Sequence, residues 1–254
     1  MKITFLGTGT SQGIPVIACN CEVCKSDSPK DNRLRTSILV ETNQASIAVD
    51  AGPDFRQQML REQVQKLDAV LMTHEHKDHM AGLDDVRAFN FKQRKDMHVF
   101  ADENTQKAIQ RDFYYAFSEF KYPGVPRIQL HTIKGEQAIE VEGLEIMPIE
   151  VLHYKLPVLG FRFGPFTYIT DANYISESSK ELIRGSEVLV LNALKKEEHI
   201  SHFSISQAVA LAQELEIPQT YLTHLSHQAG LAADIEKELP KGVNLAYDGL
   251  KLNF

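Results

Sequence analysis

The sequence predicts an α/β protein in which two β-sheets pack face to face and helices cover both outer faces. Short apolar runs typical of buried strands recur along the chain, and stretches with helical periodicity separate several of them. The strand candidates fall into two groups, the first alternating with helices and the second reading mainly as antiparallel hairpins. Each sheet has to bury both of its faces, so we expect a layered sandwich formed by one domain spanning residues 1–254.

The first half of the chain reads as a sheet interleaved with helices. Strands are expected at residues 2–6, 37–41, 46–50, 68–72 and 98–101, and helices at residues 54–63, 81–89 and 103–115. The glycine-rich stretch at residues 7–13 imitates part of a dinucleotide fingerprint. No helical pattern follows it, so a tight turn beside a neighbouring site is the better interpretation. Residues 114–127 are aromatic and proline-bearing, and form either an insertion that shapes a pocket rim or a packed surface loop.

The second half begins with a region predicted to be antiparallel and then returns to alternation. Strands are expected at residues 128–133, 137–141, 144–151, 160–163, 166–170, 187–191, 219–223, 243–247 and 250–253. Helices are expected at residues 176–184, 204–215 and 232–239. A Gly164-Pro165 turn joins two of the strands as a hairpin.

Composition limits the classes of function. With 254 residues, 43% of them apolar, the chain can build a sizeable core, and its net charge of -7 argues against a surface that neutralises many nucleic-acid phosphates. A small anionic substrate remains compatible with this charge because a bound metal supplies local positive charge. No apolar run approaches the roughly 18 residues of a membrane span, and the N-terminal apolar segment is too short for a signal peptide. We therefore expect a cytoplasmic protein without a membrane partner.

The most informative stretch is Thr73-His74-Glu75-His76-Lys77-Asp78-His79, which follows the strand expected at residues 68–72. Three histidines and an aspartate within six residues concentrate neutral nitrogen and anionic oxygen donors, a combination that binds transition metals. A solvent-exposed turn would be built mostly from Gly, Pro, Asn and Ser. The stretch therefore predicts a metal site at the end of a strand.

Three further ligand candidates also follow strand candidates, namely His153, Asp171 and His224. Any one of them alone would more often be a surface or hydrogen-bonded residue than a metal ligand. Together with the motif they make five histidines and two aspartates, which is more than one metal ion needs and fits two.

This ordered set resembles the metallo-β-lactamase superfamily over nearly the whole chain. The resemblance implies a four-layer αββα sandwich of two mixed β-sheets flanked by helices, with a binuclear metal centre in a groove at one edge. It assigns His74, His76 and His153 to the first metal, Asp78, His79 and His224 to the second, and Asp171 to a bridging position. Asp50-Ala51-Gly52 matches the superfamily's early aspartate, which supports the site from below. Glu75 and Lys77 are expected to point away from the metals.

A loop at residues 19–24 contains the only cysteines of the chain, Cys19, Cys21 and Cys24. Three thiolates crowded into one loop do not resemble a disulfide framework, and a tetrahedral zinc site needs one more ligand, which His227 offers. The loop and Ala246-Tyr247-Asp248-Gly249 resemble the PhnP-type branch, typified by phosphoribosyl cyclic phosphate phosphodiesterase, in which this loop binds a structural Zn²⁺. The alternative is three unliganded cysteines in a reducing cytosol.

The same branch implies a metal-dependent phosphodiesterase that hydrolyses a small cyclic or activated phosphate ester by attack of a hydroxide held between the metals. Asp78 and His202 are the catalytic candidates: Asp78 orients the attacking oxygen, and His202 matches a histidine that faces the substrate and donates a proton to the leaving group. Alternatively, His202 caps or packs against the helix expected at residues 204–215, and His199 is read as an exposed loop residue. The ligand set suits Mn²⁺, Zn²⁺ or Fe²⁺, and the resemblance favours Mn²⁺ in the catalytic pair.

Three other functions remain open. A nuclease similar to the enzymes that trim transfer-RNA 3′ ends would need an RNA-holding arm and a basic surface, which this acidic sequence does not offer. Another hydrolase of the same fold would act on an ester, thioester or lactone. A metal-binding interaction module without catalysis would not require all seven ligands. The expected partner is therefore a small phosphate ester rather than a nucleic acid, and the resemblance suggests a homodimer.

Overall fold

The computed structural model describes residues 1–120 and 122–254. Most strands of its first sheet come from the N-terminal half of the chain. The strands of this sheet are β1 (Lys2–Gly7), β2 (Ser37–Glu41), β3 (Ser46–Val49), β4 (Ala69–Leu71), β5 (Met97–Ala101), β6 (Ile128–Thr132) and β14 (Lys251–Asn253). They lie in the order β14-β1-β2-β3-β4-β5-β6. Pairing is antiparallel from β14 to β3 and parallel from β3 to β6.

The second sheet repeats this mixed arrangement. Its strands are β7 (Ile139–Val141), β8 (Leu144–His153), β9 (Leu156–Phe163), β10 (Phe166–Ile169), β11 (Val188–Asn192), β12 (Gln219–Thr223) and β13 (Val243–Leu245), in the order β13-β12-β11-β10-β9-β8-β7. Pairing is antiparallel from β7 to β10 and parallel from β10 to β13. Strands β8, β10 and β12 therefore run in one direction and end at the same edge of the sheet.

Short helices connect the strands. They are α1 (Phe55–Arg61), α2 (Lys77–Met80), α3 (Arg87–Gln93), α4 (Glu103–Asp112), α5 (Tyr114–Phe117), α6 (Glu177–Ile183), α7 (Ile205–Glu214) and α8 (Ala232–Glu238), with 3₁₀ turns at Val23–Lys25, Leu83–Val86 and His227–Ala229. Helix α7 begins with a capping box, in which Ser204 Oγ accepts from the Gln207 amide and the Gln207 side chain accepts from the Ser204 amide. Within the two described ranges, no helix is long and apolar enough to cross a membrane.

Three apolar clusters define four layers. The cluster around Phe55 and Ile109 fills the space between the first sheet and helices α1, α3 and α4. A second cluster, which includes Phe161 and Tyr168, lies between the two sheets. The third, around Leu189, packs the second sheet against helices α6, α7 and α8. Because each sheet packs on both faces, its central strand, β3 or β10, is buried along its whole length. The expected αββα sandwich of two mixed sheets is confirmed.

Two local predictions were wrong. Residues 128–133 were expected in the second, antiparallel region, but β6 extends the first sheet and pairs in parallel with β5. The intervening helix α4 supplies the crossover that parallel pairing needs, and no local pattern in β6 reports this. Residues 81–89 were expected to form one helix, but the 3₁₀ turn precedes α3 there. Leu83, Val86 and Phe89 recur at every third residue, a spacing that a 3₁₀ turn also satisfies.

The aromatic segment at residues 114–127 is structured at its start. Helix α5 occupies its first four residues, and the Tyr115 hydroxyl donates a hydrogen bond to Asp84. Phe120 and Tyr122 are exposed. Residue 121 lies outside the described residues, and the expectation that the segment shapes a pocket rim stays a prediction.

Candidate metal centre

The histidine motif begins where β4 ends and closes into a helical turn. His74 is buried three residues beyond β4, and His76 holds an extended backbone immediately before α2. Asp78 and His79 lie in the single turn of α2, which directs them toward the ligand candidates of the second sheet. Lys77 forms an ion pair with Asp112 at the end of α4, away from these donors.

The structure brings together all seven ligand candidates. Sets whose donor atoms all lie within 4.8 Å of one another are His74, His76 and His153; His74, His79 and Asp171; and Asp78, His79 and His224. The first and third sets coincide with the two ligand groups expected from the sequence. Asp171 shares a donor set with His74 of the first group, and its carboxylate lies 3.0 Å from His79 Nε2 and 3.2 Å from His224 Nε2 of the second group. Two adjacent ligand groups with a carboxylate beside both fit the ligand number that two metal ions need.

Asp50 supports the motif from below. It is fully buried, and its carboxylate accepts hydrogen bonds from the Thr73 amide at 2.8 Å, the Thr73 hydroxyl at 2.9 Å and His79 Nδ1 at 2.7 Å. Because the Thr73 hydroxyl proton goes to Asp50, His74 Nδ1 donates to Thr73 Oγ1 at 2.9 Å. Because Nδ1 of each ring is occupied by these contacts, both histidines present Nε2 toward the site, as metal-binding histidines do.

Several buried nitrogen atoms at the centre lack partners. His74 Nε2, His79 Nε2 and both ring nitrogens of His224 have no hydrogen-bond partner in the part of the chain that the structure describes. Buried polar atoms are nearly always hydrogen-bonded. An Nε2 lone pair 3.0 Å from a carboxylate oxygen of Asp171 is repulsive unless a cation or a proton lies between them. The donor set therefore fits divalent cations, which the fold family also implies.

Carboxylates packed against imidazole rings, together with burial, determine the direction of the pKa shifts at the site. Burial disfavours the charged form of His79, but the carboxylates of Asp171, Asp50 and Asp78 outweigh it and raise the pKa of His79 well above its ordinary value. Burial also opposes ionisation of Asp171, but the neighbouring His224 and His79 hold its pKa well below the usual range. Burial and the nearby His79 charge lower the pKa of His74. The Asp171 carboxylate thus stays ionised, as a metal ligand must.

Three residues of the site adopt left-handed backbone conformations. Asp50, Asp171 and His224 have φ values of 66°, 53° and 58°; Asp50 and His224 directly follow a strand, and Asp171 lies two residues beyond β10. This conformation costs roughly 1–2 kcal/mol for a residue with a side chain. Such strain persists where the surrounding structure fixes it, and it is concentrated at functional sites. Here it turns each side chain from the strand direction into the shared edge of the two sheets.

His202 also lies at this centre. Its Nε2 donates to Asp171 Oδ1 at 2.9 Å, and its ring stacks on His224 with centroids 4.9 Å apart. His153, Asp171 and His202 form a further set of donor atoms within 4.8 Å of one another. Burial lowers the pKa of His202 to about 4, although the bond to Asp171 opposes this shift. His202 therefore lies against the ligand candidates, and the cap on α7 is Ser204.

The cysteine loop forms a separate cluster with His227. His227 Nδ1 lies 3.3 Å from Cys19 Sγ and 3.4 Å from Cys21 Sγ, and Cys24 completes a set of four ligand atoms within 4.8 Å of one another. The Cys24 amide and His227 stabilise the Cys21 thiolate and lower its pKa to about 6. Burial raises the pKa of Cys24 to about 11. Three cysteine sulfur atoms and one imidazole match the ligand number and type of a structural zinc site.

The sequence did not indicate two residues that hold the ligands in place. Thr73 links Asp50 to His74, and its position directly before the motif was the only available signal. Ser201 accepts a hydrogen bond from His153 Nδ1 at 2.8 Å through its backbone carbonyl oxygen. Every residue has such an oxygen, so residue type gives no indication of this role.

Comparison with known proteins agrees with this geometry. Residues 46–225 match the family model described as the Beta-lactamase superfamily domain. A crystal structure of a new diphosphatase from the PhnP family is 37% identical, with a TM-score of 0.93 and coverage of 100% of this chain and 97% of that chain.

Two curated relatives extend the comparison. An octanoyltransferase of Porphyromonas gingivalis (strain ATCC BAA-308 / W83) is 37% identical over 253 residues, covering 99% of this chain and 51% of the relative, so the chain spans about half of its length. A ribonuclease Z of Borreliella afzelii (strain PKo) is 23% identical over 300 residues, covering 88% of this chain and 92% of that protein. From the matched domain and the identity to the diphosphatase, the chain belongs to the metallo-β-lactamase superfamily, on its PhnP-like branch.

Proposed function

We propose that this protein is a binuclear metal-dependent hydrolase of small phosphoric esters, with phosphodiesters of the phosphoribosyl cyclic phosphate type as the leading substrate class. The observation that carries the proposal is the set of buried, unpartnered imidazole nitrogens around the Asp171 carboxylate. His74, His76 and His153 would hold one cation, Asp78, His79 and His224 the other, and Asp171 would contact both. When bound, the two cations supply a water molecule of lowered pKa and positive charge beside the phosphoryl oxygens.

The chain's own residues orient and protonate the reactants in this proposal. Asp78 is only partly exposed, and its Oδ2 atom lies 3.2 Å from His79 Nε2. The other oxygen, Oδ1, is therefore available to orient the attacking water. His202 carries a proton on Nε2, the nitrogen that faces the site, because its partner there is the acceptor Asp171 Oδ1. His202 would deliver this proton to the leaving oxygen from a charged imidazole in the substrate complex, so that a neutral ring remains after the transfer.

Diphosphate hydrolysis is the second candidate function. The PhnP-family structure described as a diphosphatase is 37% identical over nearly its whole length, which favours a phosphoanhydride as an alternative substrate. The ribonuclease Z relative, which is 23% identical, supports a nuclease activity more weakly. We do not propose octanoyl transfer for this chain, because the chain spans only 51% of the Porphyromonas gingivalis relative.

A panel of substrates separates these functions. We expect protein loaded with Mn²⁺ to hydrolyse bis-p-nitrophenyl phosphate and a ribosyl cyclic phosphate, measured by phenolate release and by chromatography. Preferred cleavage of a nucleoside diphosphate ester would favour the diphosphatase alternative, and preferred cleavage of a short RNA would favour the nuclease. Failure to turn over any of these substrates, or turnover of a thioester or lactone instead, would falsify the proposal.

The cysteine loop is proposed to hold one structural zinc ion through Cys19, Cys21, Cys24 and His227. We expect Cys21→Ser to lower the zinc content by about one ion per chain, because a hydroxyl is a poor substitute for a thiolate ligand. Ser28→Ala, at an exposed position after the loop, is the matched control and should keep its zinc. Metal analysis of the purified variants decides the matter, and unchanged zinc in Cys21→Ser would refute the site.

A further inference from the structure

Asn192 is a fully buried polar residue at the end of β11, the strand next to the one that leads to Asp171. Strands β10 and β11 pair in parallel as far as Ile169, and beyond it the chain turns at Asp171, whose backbone is left-handed. On the other side, Asn192 pairs with Thr223, the residue before His224. Asn192 therefore lies between the chain segments that carry two of the ligand candidates.

The side chain of Asn192 binds both backbone polar groups of a single residue. The Ala172 amide donates to Asn192 Oδ1 at 2.8 Å, and Asn192 Nδ2 donates to the Ala172 carbonyl oxygen at 2.9 Å. An amide only donates and a carbonyl oxygen only accepts, so these partners also fix which atom of the side chain is the oxygen. The two bonds replace the strand pairing that Ala172 lacks beyond the end of β10, and they satisfy a polar side chain among apolar neighbours.

These hydrogen bonds act on the backbone directly beside Asp171. The Ala172 amide belongs to the peptide group that follows Asp171, so its direction is coupled to the left-handed conformation of that residue, with φ 53°. A residue with a side chain keeps such a conformation only where the surrounding structure fixes it. The Ala172 carbonyl oxygen also accepts from the amide of Phe203, the residue after His202, at 2.8 Å. Asn192 therefore fixes a junction between the Asp171 turn and the loop that carries the proposed proton donor.

From this geometry we infer that Asn192 is a positioning residue for the metal centre, because it holds the turn that places the Asp171 carboxylate beside both ligand groups. Without the side-chain amide, the turn is free to relax from its left-handed conformation, which moves the carboxylate away from His79 and His224. The contribution of Asn192 to turnover rests on the proposed function, whereas its contribution to metal affinity does not.

Two substitutions of Asn192 test the inference. Asn192→Leu removes both hydrogen bonds but keeps nearly the same side-chain volume, and Asn192→Ala removes the bonds together with the volume. We expect both variants to bind Mn²⁺ at the centre about 10- to 100-fold more weakly than the wild type, as is usual when a residue that holds a metal ligand in place is lost. Equilibrium dialysis of chelator-treated protein against a series of Mn²⁺ concentrations, followed by metal analysis, measures the affinity.

Asn90→Leu and Asn90→Ala are the matched controls. Asn90 is also a buried asparagine that binds both backbone groups of one residue: its Oδ1 accepts from the Arg127 amide at 2.9 Å, and its Nδ2 donates to the Arg127 carbonyl oxygen at 3.0 Å. Among the described residues, neither of these two belongs to a set of metal-ligand candidates. We expect the Asn90 variants to lower the urea midpoint to a similar extent as the Asn192 variants but to keep the Mn²⁺ affinity within about twofold of wild type.

Electron paramagnetic resonance separates the positioning of Asp171 from a general loss of stability. Mn²⁺ ions that share a carboxylate are magnetically coupled, whereas isolated ions show their separate hyperfine lines. At saturating Mn²⁺ we expect a coupled spectrum from the wild type and from the Asn90 variants. The lines of isolated Mn²⁺ should grow in both Asn192 variants, because a displaced Asp171 carboxylate no longer reaches both ligand groups.

The outcomes are distinguishable. Wild-type Mn²⁺ affinity in Asn192→Leu overturns the inference, since the hydrogen bonds of the amide would then be dispensable. Equal losses of affinity in the Asn90 variants overturn it too, as does a wild-type spectrum of isolated ions or a fully coupled spectrum in the Asn192 variants. If the wild type hydrolyses no phosphoric ester, the proposed function fails, and the affinity comparison still decides the role of Asn192. If Asn192→Leu does not fold, Asn192→Ala, which leaves room for a water molecule, decides the comparison against Asn90→Ala.

Discussion

Gly52→Ala is expected to lower turnover at least about a hundredfold, although it adds a single methyl group to a residue that is not a ligand candidate. A Cβ atom built at Gly52 would lie 1.9 Å from the backbone carbonyl oxygen of Asp78. That oxygen belongs to the turn that carries two metal-ligand candidates, so it cannot move without displacing them. The Ala51 amide also donates to the His79 carbonyl oxygen at 2.7 Å, which ties the two segments together.

The same clash should destabilise the fold. Overpacking a buried position costs about 1–3 kcal/mol, and we expect a loss at the upper end because the obstructing atom is backbone. Urea denaturation and turnover, measured on the same preparations, check both effects. Gly164→Ala is the control, since its methyl group meets no atom within 4 Å and only the left-handed backbone at φ 57° resists it, at about 1 kcal/mol. Wild-type turnover by Gly52→Ala would contradict the proposed rigid support of the motif.

Asp78→Asn should abolish measurable turnover, with a loss of at least about a hundredfold. The substitution keeps the shape of the side chain but removes the negative charge that binds a cation and orients water. Burial opposes ionisation of Asp78, but the adjacent His79 outweighs it and holds the pKa of this carboxyl far below its usual range, so the native group is ionised. Metal content per chain should fall together with kcat.

Glu75→Gln is the matched control for this charge removal. Glu75 lies in the same loop and is part of no donor set among residues 1–120 and 122–254. We expect it to keep both its metal content and its kcat within about twofold of wild type. A Glu75→Gln protein that loses metal to the same extent as Asp78→Asn would show that the loop responds to any loss of negative charge.

The ligand candidates were predictable because their chemistry and their position coincide. His153, Asp171 and His224 are metal-binding residue types placed directly after apolar runs, and strands that run in one direction end at one edge. Their left-handed or strand-end backbones were not predictable, because no residue type other than glycine signals such a conformation strongly.

Other features depend on contacts between distant segments. The parallel pairing of β6 follows from the crossover through α4, not from the pattern of β6 itself. The support that Ser201 gives to His153 comes from a carbonyl oxygen, and its position is set by the loop that precedes α7. Sequence patterns indicate which residues are buried and which can bind a metal. The pairing of β6 and the contact of Ser201 with His153 depend instead on which distant segments pack together.

The central claim is that two cations held by the histidine and aspartate cluster enable phosphoric ester hydrolysis. The most direct measurement follows bis-p-nitrophenyl phosphate turnover and metal content together while Mn²⁺ is returned to chelator-treated protein. We predict no turnover in the stripped protein and recovery as about two ions per chain bind at the centre, with no recovery in Asp171→Asn. Undiminished turnover by the stripped protein, or none by the fully loaded protein on any phosphoric ester, would contradict the claim.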